Sequence, residues 1–300
     1  MGKFYDAIMG FVVGDALGVP FEFKQRDTFE AKGLTGWGTH GQPPGTWSDD
    51  SSMTLATISA LERCGQISTV MIMHSFFRWL RYGDFTAWGN VFDVGCTTRQ
   101  AIYRYSNGWE PEECGGTSEN DNGNGSLMRI LPLAFLNCDL VDVAKVSKLT
   151  HGHIISISAC EIYVSIAKSL IAGKGIREAI AERMRPEYYF HERFERLKSL
   201  ESLTRGEIKS TGFVVDTLEA ALWCLLKTDN YRDCVLMAVN LGGDTDTIAA
   251  VAGGLAGIIY GIGGKKGIPK EWACQIVKYM EIKELCESFE ARFCADQGGE

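Results

Sequence analysis

The chain has 300 residues, 45% of them hydrophobic and 23% charged, with a net charge of −8. That composition suits a soluble globular protein with a large core, and an acidic balance without a Lys/Arg stripe excludes the usual phosphate-neutralising nucleic-acid surface. Ten cysteines sit singly in apolar runs such as SISACEIYV with no C-x-x-C, which excludes a disulfide scaffold or zinc ribbon and predicts buried thiols in a reducing cytosol.

The first predicted helix carries Phe4, Ile8, Phe11 and Val12 at helical spacing and stops at Pro20. Asp6 and Asp15 interrupt its apolar stretch, so it reads as an amphipathic helix rather than a signal peptide. Next comes Glu22 between Phe21 and Phe23, either a surface residue on a loop or a partly desolvated acid suited to proton transfer. A glycine-rich loop over 33–45 leads to GTWSDDSSMTLA, where Ser48, Asp49 and Asp50 open a second helix bearing Met53, Leu55, Ile58 and Leu61. Ser68 caps a third, with Val70, Met73, Phe76, Phe77 and Leu80.

A second glycine-rich loop, 115–125, runs into Asp121-Asn122-Gly123-Asn124-Gly125-Ser126. Its start resembles an EF-hand, but Gly123 and Gly125 fall on ligand positions and Pro132 stands where the terminal Glu is required. What remains is an amide-rich turn whose N–H groups can cradle a phosphate or ribose. Helical runs follow over 140–149, 156–171 and 176–183. Between the first two, His151-Gly152-His153 offers either a substrate contact or simply satisfied histidines. The charged, aromatic stretch from Met184 to Lys209 predicts a solvated helix pair or excursion.

Further runs cover 217–226, 231–239, 247–260 and 270–286. Strand alternation is hard to find and no Pro/Gly/Ser linker divides the chain, so an all-α fold of about ten helices in one domain over 1–300 is expected. The apolar run after Ile248 falls short of the roughly 20 residues that cross a bilayer. It predicts a buried helix, with Ala249, Ala250, Gly253, Gly254 and Gly257 letting a neighbour approach closely.

That helix opens with Gly242-Gly243-Asp244-Thr245-Asp246-Thr247, nearly two hundred residues after Ser48-Asp49-Asp50. An acid before a helix is most often a cap and a partner of the helix dipole. Here each cluster sets a hydroxyl beside carboxylates, and capping does not call for Asp244 two residues ahead of Asp246. Joined, they would hold a pair of Mg²⁺ or Mn²⁺ ions, which favour oxygen ligands, and hydrolysis is then the first expected chemistry. Capping alone and metal ligation both fit the spacing. Walker A, G-x-G-x-x-G, H-E-x-x-H and G-x-S-x-G motifs are absent, which excludes the commonest nucleotide, zincin and nucleophile-elbow sites.

GDALGVPFEF, GTWSDDSSM, NGNGSLMRILPLA, LTHGH and VNLGGDTDTIAAVAGGLAG, in this order from about Phe4 to Gly264, resemble the ADP-ribosylglycohydrolase family. The resemblance implies an all-α fold with a binuclear Mg²⁺ or Mn²⁺ centre in a cleft. It implies hydrolysis of the glycosidic bond between ADP-ribose and an acceptor, on a modified protein or a small-molecule conjugate. Metal ligation then falls to Ser48, Asp49, Asp50, Asp244, Asp246 and Thr247, and catalysis to Glu22, Asp49 and Asp246. Substrate binding falls to Asp121, Asn124, Gly125, Ser126 and Met128, to His151 or His153, and to Phe213 near the adenosine. Ser48 stands where many relatives have Thr, which keeps the hydroxyl, and SSM replaces the more frequent TQM, which bears on the shape of the pocket. The alternatives are another binuclear-metal nucleotide hydrolase or phosphatase, or a non-catalytic ADP-ribose-binding protein. A cytoplasmic monomer is expected, with no membrane partner and no nucleic acid except as a modified end.

Overall fold

The computed structural model describes residues 2–188 and 190–294. The helices formed by these residues are α1 (Lys3–Gly18), α2 (Asp49–Cys64), α3 (Thr69–Tyr82), α4 (Cys96–Ser106), α5 (Leu140–Lys148), α6 (Ile154–Ile171), α7 (Ile176–Arg183), α8 (Val214–Lys227), α9 (Tyr231–Val239), α10 (Thr245–Tyr260), α11 (Lys270–Ala273) and α12 (Tyr279–Phe293). Helix makes up 62% of the structure, and among the described residues extended pairing is limited to isolated bridges such as Gly116 with His151, so the all-α expectation holds.

The centre is the antiparallel pair α1 and α10. α1 is buried from Phe4 to Gly18 apart from Asp6, and α10 from Thr245 to Ile258, the all-round burial of helices enclosed by others. Small residues let their backbones touch: a Cβ on Gly10 would strike the Gly253 carbonyl, and one on Gly14 the Ala249 carbonyl. Tyr231 Oη donates to Gly10 O at 2.6 Å and Tyr163 Oη to Val251 O at 2.9 Å, satisfying main-chain oxygens beside the crossing. Gly14→Val should therefore cost about 3 kcal/mol or more, at the upper end of core overpacking. Gly175→Ala, whose Cβ meets nothing within 4 Å, should leave the melting temperature nearly unchanged; equal melting curves for the two variants by circular dichroism would refute the crossing.

The first helix, expected to be amphipathic, is instead buried on all sides, and three further segments depart from expectation. α4 is a helix where no helical run is predicted: CTTRQAIYRYS is poor in apolar residues and its N-cap Gly95 makes no side-chain bond, yet Thr98, Ala101 and Ile102 form a buried face. The stretch Met184 to Lys209, apart from Tyr189, which lies outside the described residues, is not merely a solvated excursion. It forms three-ten turns over Glu192–Ser202, where Phe194, Leu197 and Leu200 bury one face. That three-residue period belongs to a three-ten helix, which sequence reading at 3.6 residues per turn does not detect. The run 270–286 divides into α11 and α12 because Val277 N donates to Gly45 O at 3.0 Å and Lys278 turns left-handed at φ 56°.

The architecture brings two helix N-termini to one place. α10 begins beside Gly18 at the end of α1, and α2 begins over Asp15 of the same helix.

Candidate metal and substrate site

The first acidic cluster is built by α2 on Asp15. Ser48 Oγ caps α2 by accepting from Asp50 N at 3.2 Å, so the cap is the serine and not, as expected, an acid. Asp15 accepts from Ser48 N at 2.9 Å, Ser51 N at 3.0 Å and Ser51 Oγ at 2.5 Å. Those bonds oppose the burial that pushes its carboxyl up to about 6. Capping does not account for Asp50, whose Oδ1 is buried without a hydrogen-bond partner.

The second cluster begins at Gly242 and Gly243, both left-handed at φ 72° and 74°. This turn lets Gly243 O accept from Phe23 N at 2.7 Å and Gly243 N donate to Lys24 O at 2.9 Å, which ties the Glu22 segment to Asp244. Asp244 Oδ2 accepts from Asn124 Nδ2 at 2.7 Å. Asp246 Oδ1 accepts from Thr247 N at 3.0 Å, whereas Asp246 Oδ2 is buried and unpartnered.

Carboxylate oxygens of Asp15, Asp50 and Asp246 lie within 4.8 Å of one another, and so do those of Glu22, Asp244 and Asp246. Burial first, then mutual repulsion, holds Asp49, Asp50 and Asp246 well above the usual carboxylate range. Two orphaned oxygens in an all-oxygen donor set are what a divalent cation of oxygen preference would satisfy; the residues fit a metal.

Glu22 is 4% exposed, so it is a desolvated acid and not a surface residue. Burial raises its carboxyl to about 7, against a close bond from His40 Nε2 and with Asp93 and Asp244 adding repulsion. Facing acceptor and donor atoms of Glu22, His40 and Asp93 gather within 4.8 Å. Phe23 (φ 62°) and Asp93 (φ 51°) are left-handed without being glycine; such strain concentrates at functional sites.

Above these acids opens a cavity of about 250 Å³. Of the sequence-derived candidates, Glu22, Asp49, Asp244, Thr247, Asn124, Gly125, Met128 and His151 line it, with Ser48, Asp50 and Asp246 buried beneath. Four candidates lie elsewhere. Ser126 Oγ meets Ser147 Oγ at 3.1 Å and Cys160 Sγ at 3.4 Å, inside the packing. Asp121 accepts from Ser118 N and Oγ, closing its own turn. His153 Nδ1 meets Asn122 Nδ2 at 2.9 Å and caps α6, so of the paired histidines only His151 reaches the cavity. Phe213, at the N-cap of α8, sits beside Gly123 with the Arg193 guanidinium 6.0 Å from its ring. A motif fixes where a residue falls along the chain, not which way its side chain turns.

Sequence reasoning missed Asp15, His40, Asp93, Thr97 and Thr98. Only Asp15 had a signal, as an acid inside an apolar helix. A larger cavity, about 500 Å³, lies between α7 and the three-ten stretch Glu192–Ser202, but its Arg177 and Glu201 pair with each other at 2.6 Å; the orphaned acids, not cavity size, select the site.

A helical body with two carboxylate-bearing helix starts under a polar cavity is an arrangement suited to metal-assisted hydrolysis. The ADP-ribosylglycohydrolase profile matches residues 1–298, and the chain belongs to that family of hydrolases acting on ADP-ribose conjugates. The ADP-ribosylarginine hydrolase Tri1 of Serratia proteamaculans (strain 568) is 32% identical over 295 residues, 96% of this chain and 78% of that protein. The ADP-ribosyl-(dinitrogen reductase) glycohydrolase of Rhodospirillum rubrum is 32% identical over 283 residues, 90% of this chain and 88% of that protein. A solved ADP-ribosylglycohydrolase-related protein complex matches with a TM-score of 0.82 at 29% identity, over 97% of both chains.

Proposed function

We propose that the protein hydrolyses the glycosidic bond between ADP-ribose and an arginine side chain of a modified protein, with two Mg²⁺ or Mn²⁺ ions held by Ser48, Asp49, Asp50, Asp244, Asp246 and Thr247. The observation that carries this reading is the burial of unpartnered Asp50 Oδ1 and Asp246 Oδ2 below the cavity. A protein that only bound ADP-ribose would have no use for them. When bound, such ions offset the clustered negative charge and supply Lewis acidity toward the ribose and the attacking water.

The chain's own groups do the rest. Asn124, Gly125, Met128 and His151 line the space for the ADP-ribose body, with Phe213 beside it for the adenosine. Glu22 and Asp93 face each other at the cavity, where acids suit a guanidinium acceptor. Glu22 is the group that orients water and takes its proton as oxocarbenium character develops at the anomeric carbon. Asp121, Ser126 and His153 hold the amide turn and α6 in place. The name of the Serratia relative supports arginine as the acceptor, and that of the Rhodospirillum relative supports a modified protein as the substrate.

The test is release of free ADP-ribose from a panel of arginine, serine, O-acetyl and nucleic-acid-end conjugates, with Mg²⁺ or Mn²⁺ and again with EDTA. Turnover of the arginine conjugate with either ion, lost in EDTA, is expected. An untouched arginine conjugate would overturn the acceptor, and turnover indifferent to EDTA would overturn the metal assignment.

A further inference from the structure

We propose that Arg129 and Thr150 form a buried relay that fixes His151 as the neutral imidazole protonated on Nε2, so that it meets ADP-ribose only as a hydrogen-bond donor. The ligand named rests on the function proposed above; the tautomer does not.

Arg129 is fully buried, and no carboxylate is among the described groups that act on its charge. Its guanidinium lies 4.6 Å from the Phe76 ring centroid and donates to Val146 O at 3.2 Å and Thr150 Oγ1 at 2.7 Å, leaving Nε without a partner. Well-packed apolar residues often fill such a position at lower cost than a charge. What the charge supplies is direction. A guanidinium can only donate, so Thr150 Oγ1 accepts from it.

The Thr150 hydroxyl is also buried, and its own hydrogen needs an acceptor. Among the described residues it meets one, His151 Nδ1 at 2.8 Å. With Nδ1 accepting, the neutral ring carries its proton on Nε2. The backbone keeps the ring in place: His151 N donates to Ser147 O at 2.9 Å, Gly116 N to Thr150 O at 2.9 Å and Gly152 N to Gly116 O at 2.7 Å. On the other side of the ring, a Cβ on Gly123 would lie 3.5 Å from Nε2 and one on Gly125 3.4 Å away. Neither residue has one, and Nε2 opens on the cavity. Burial and the Arg129 charge, opposed by Asp121, lower the His151 pKa to about 3, so a second proton does not compete at ordinary pH.

A ribose hydroxyl or phosphate oxygen, each able to accept, therefore meets the same donor at any working pH. His153 is the contrast, because its Nδ1 is committed to Asn122 and the α6 cap.

Long-range ¹H–¹⁵N correlation of ¹⁵N-histidine-labelled protein reads the tautomer directly, with the His151 signals assigned by their loss in His151→Asn. The Nε2-protonated pattern, unchanged from pH 5 to 8, is expected. A titrating ring or an Nδ1-protonated one overturns the relay. Thr150→Val should mix or invert the tautomers and weaken ADP-ribose binding about 3- to 10-fold, the reach of one hydrogen bond, with the loss in KM rather than kcat. Thr150→Ser should restore both. An unchanged tautomer in Thr150→Val also overturns the relay, and if that variant does not fold, the wild-type and Thr150→Ser spectra still decide. Locked Nε2 protonation in a protein that does not bind ADP-ribose would sustain the relay while refuting the function.

Discussion

Asp246→Asn should eliminate ADP-ribose release, by at least about 10²-fold, and raise the melting temperature of the metal-free protein at pH 8. The two effects come from one atom. Asn keeps the oxygen that accepts from Thr247 N but removes the charge shared with the unpartnered Oδ2. Burial and the neighbouring Glu22, Asp50 and Asp244 hold the Asp246 carboxyl well above the usual range. The metal-free native state thus retains a proton that the unfolded chain releases above about pH 4. Stability falls as pH rises from there through the raised pKa, and the Asn variant escapes its share of that loss, on the order of 1 to 3 kcal/mol. Metal reverses the ranking. At 100 times its dissociation constant an ion stabilises the wild type by about 2.7 kcal/mol, a gain the variant should lack. Melting curves with EDTA and with Mn²⁺, at pH 5 and pH 8, separate these statements; a variant less stable than wild type in EDTA at pH 8 would refute the orphaned-charge account.

Glu22→Gln should lower kcat by about 10² to 10⁴ while ADP-ribose affinity stays within about threefold. Gln keeps the size and can still meet His40, so the loss belongs to the titratable carboxylate. The direction of the pH effect follows from the arginine acceptor proposed above. An ADP-ribosylated guanidinium is already cationic and departs as a neutral guanidine, so it needs no acid; water needs a base. Glu22 must be ionised, and the wild-type rate should fall as pH drops through its pKa, which lies near 7 without metal and lower with cations beside it. That acidic limb should vanish in the variant. If Glu22→Gln only weakened binding, or kept the limb, another group would be the base.

The parts of this protein legible in the sequence are those written locally. Both acid clusters sit at helix starts, where hydroxyl, acid and apolar period fall within a few residues, and Ser48 and Ser68 announce their helices by capping chemistry. His40 and Asp93 were illegible because loops deliver them: His40 from a turn pinned by Thr39 N to Pro20 O, Asp93 from a strained residue before α4. No periodicity encodes such a meeting. Ser126 shows the opposite limit, and the choice between His151 and His153 was open for the same reason: a motif places a residue along the chain, while packing decides where its side chain goes. α4 and the Phe194 turn were missed because burial there depends on neighbours far away in sequence.

The crossing of α1 with α10 also sets a timetable for biosynthesis. α1 leaves the ribosome before the other eleven described helices, apolar on nearly every side, and its main partner α10 is translated more than two hundred residues later. At roughly 5 to 20 residues per second, that is an interval on the order of 10 to 50 seconds. Throughout it, the face that will receive Gly253 and Ala249 must be sheltered by other parts of the nascent chain or by a chaperone, and the distant pairing makes closure slow once it becomes possible. Neither acid cluster can meet the other until then, so on the metal assignment proposed above ion capture would come late and reward only chains that have closed correctly.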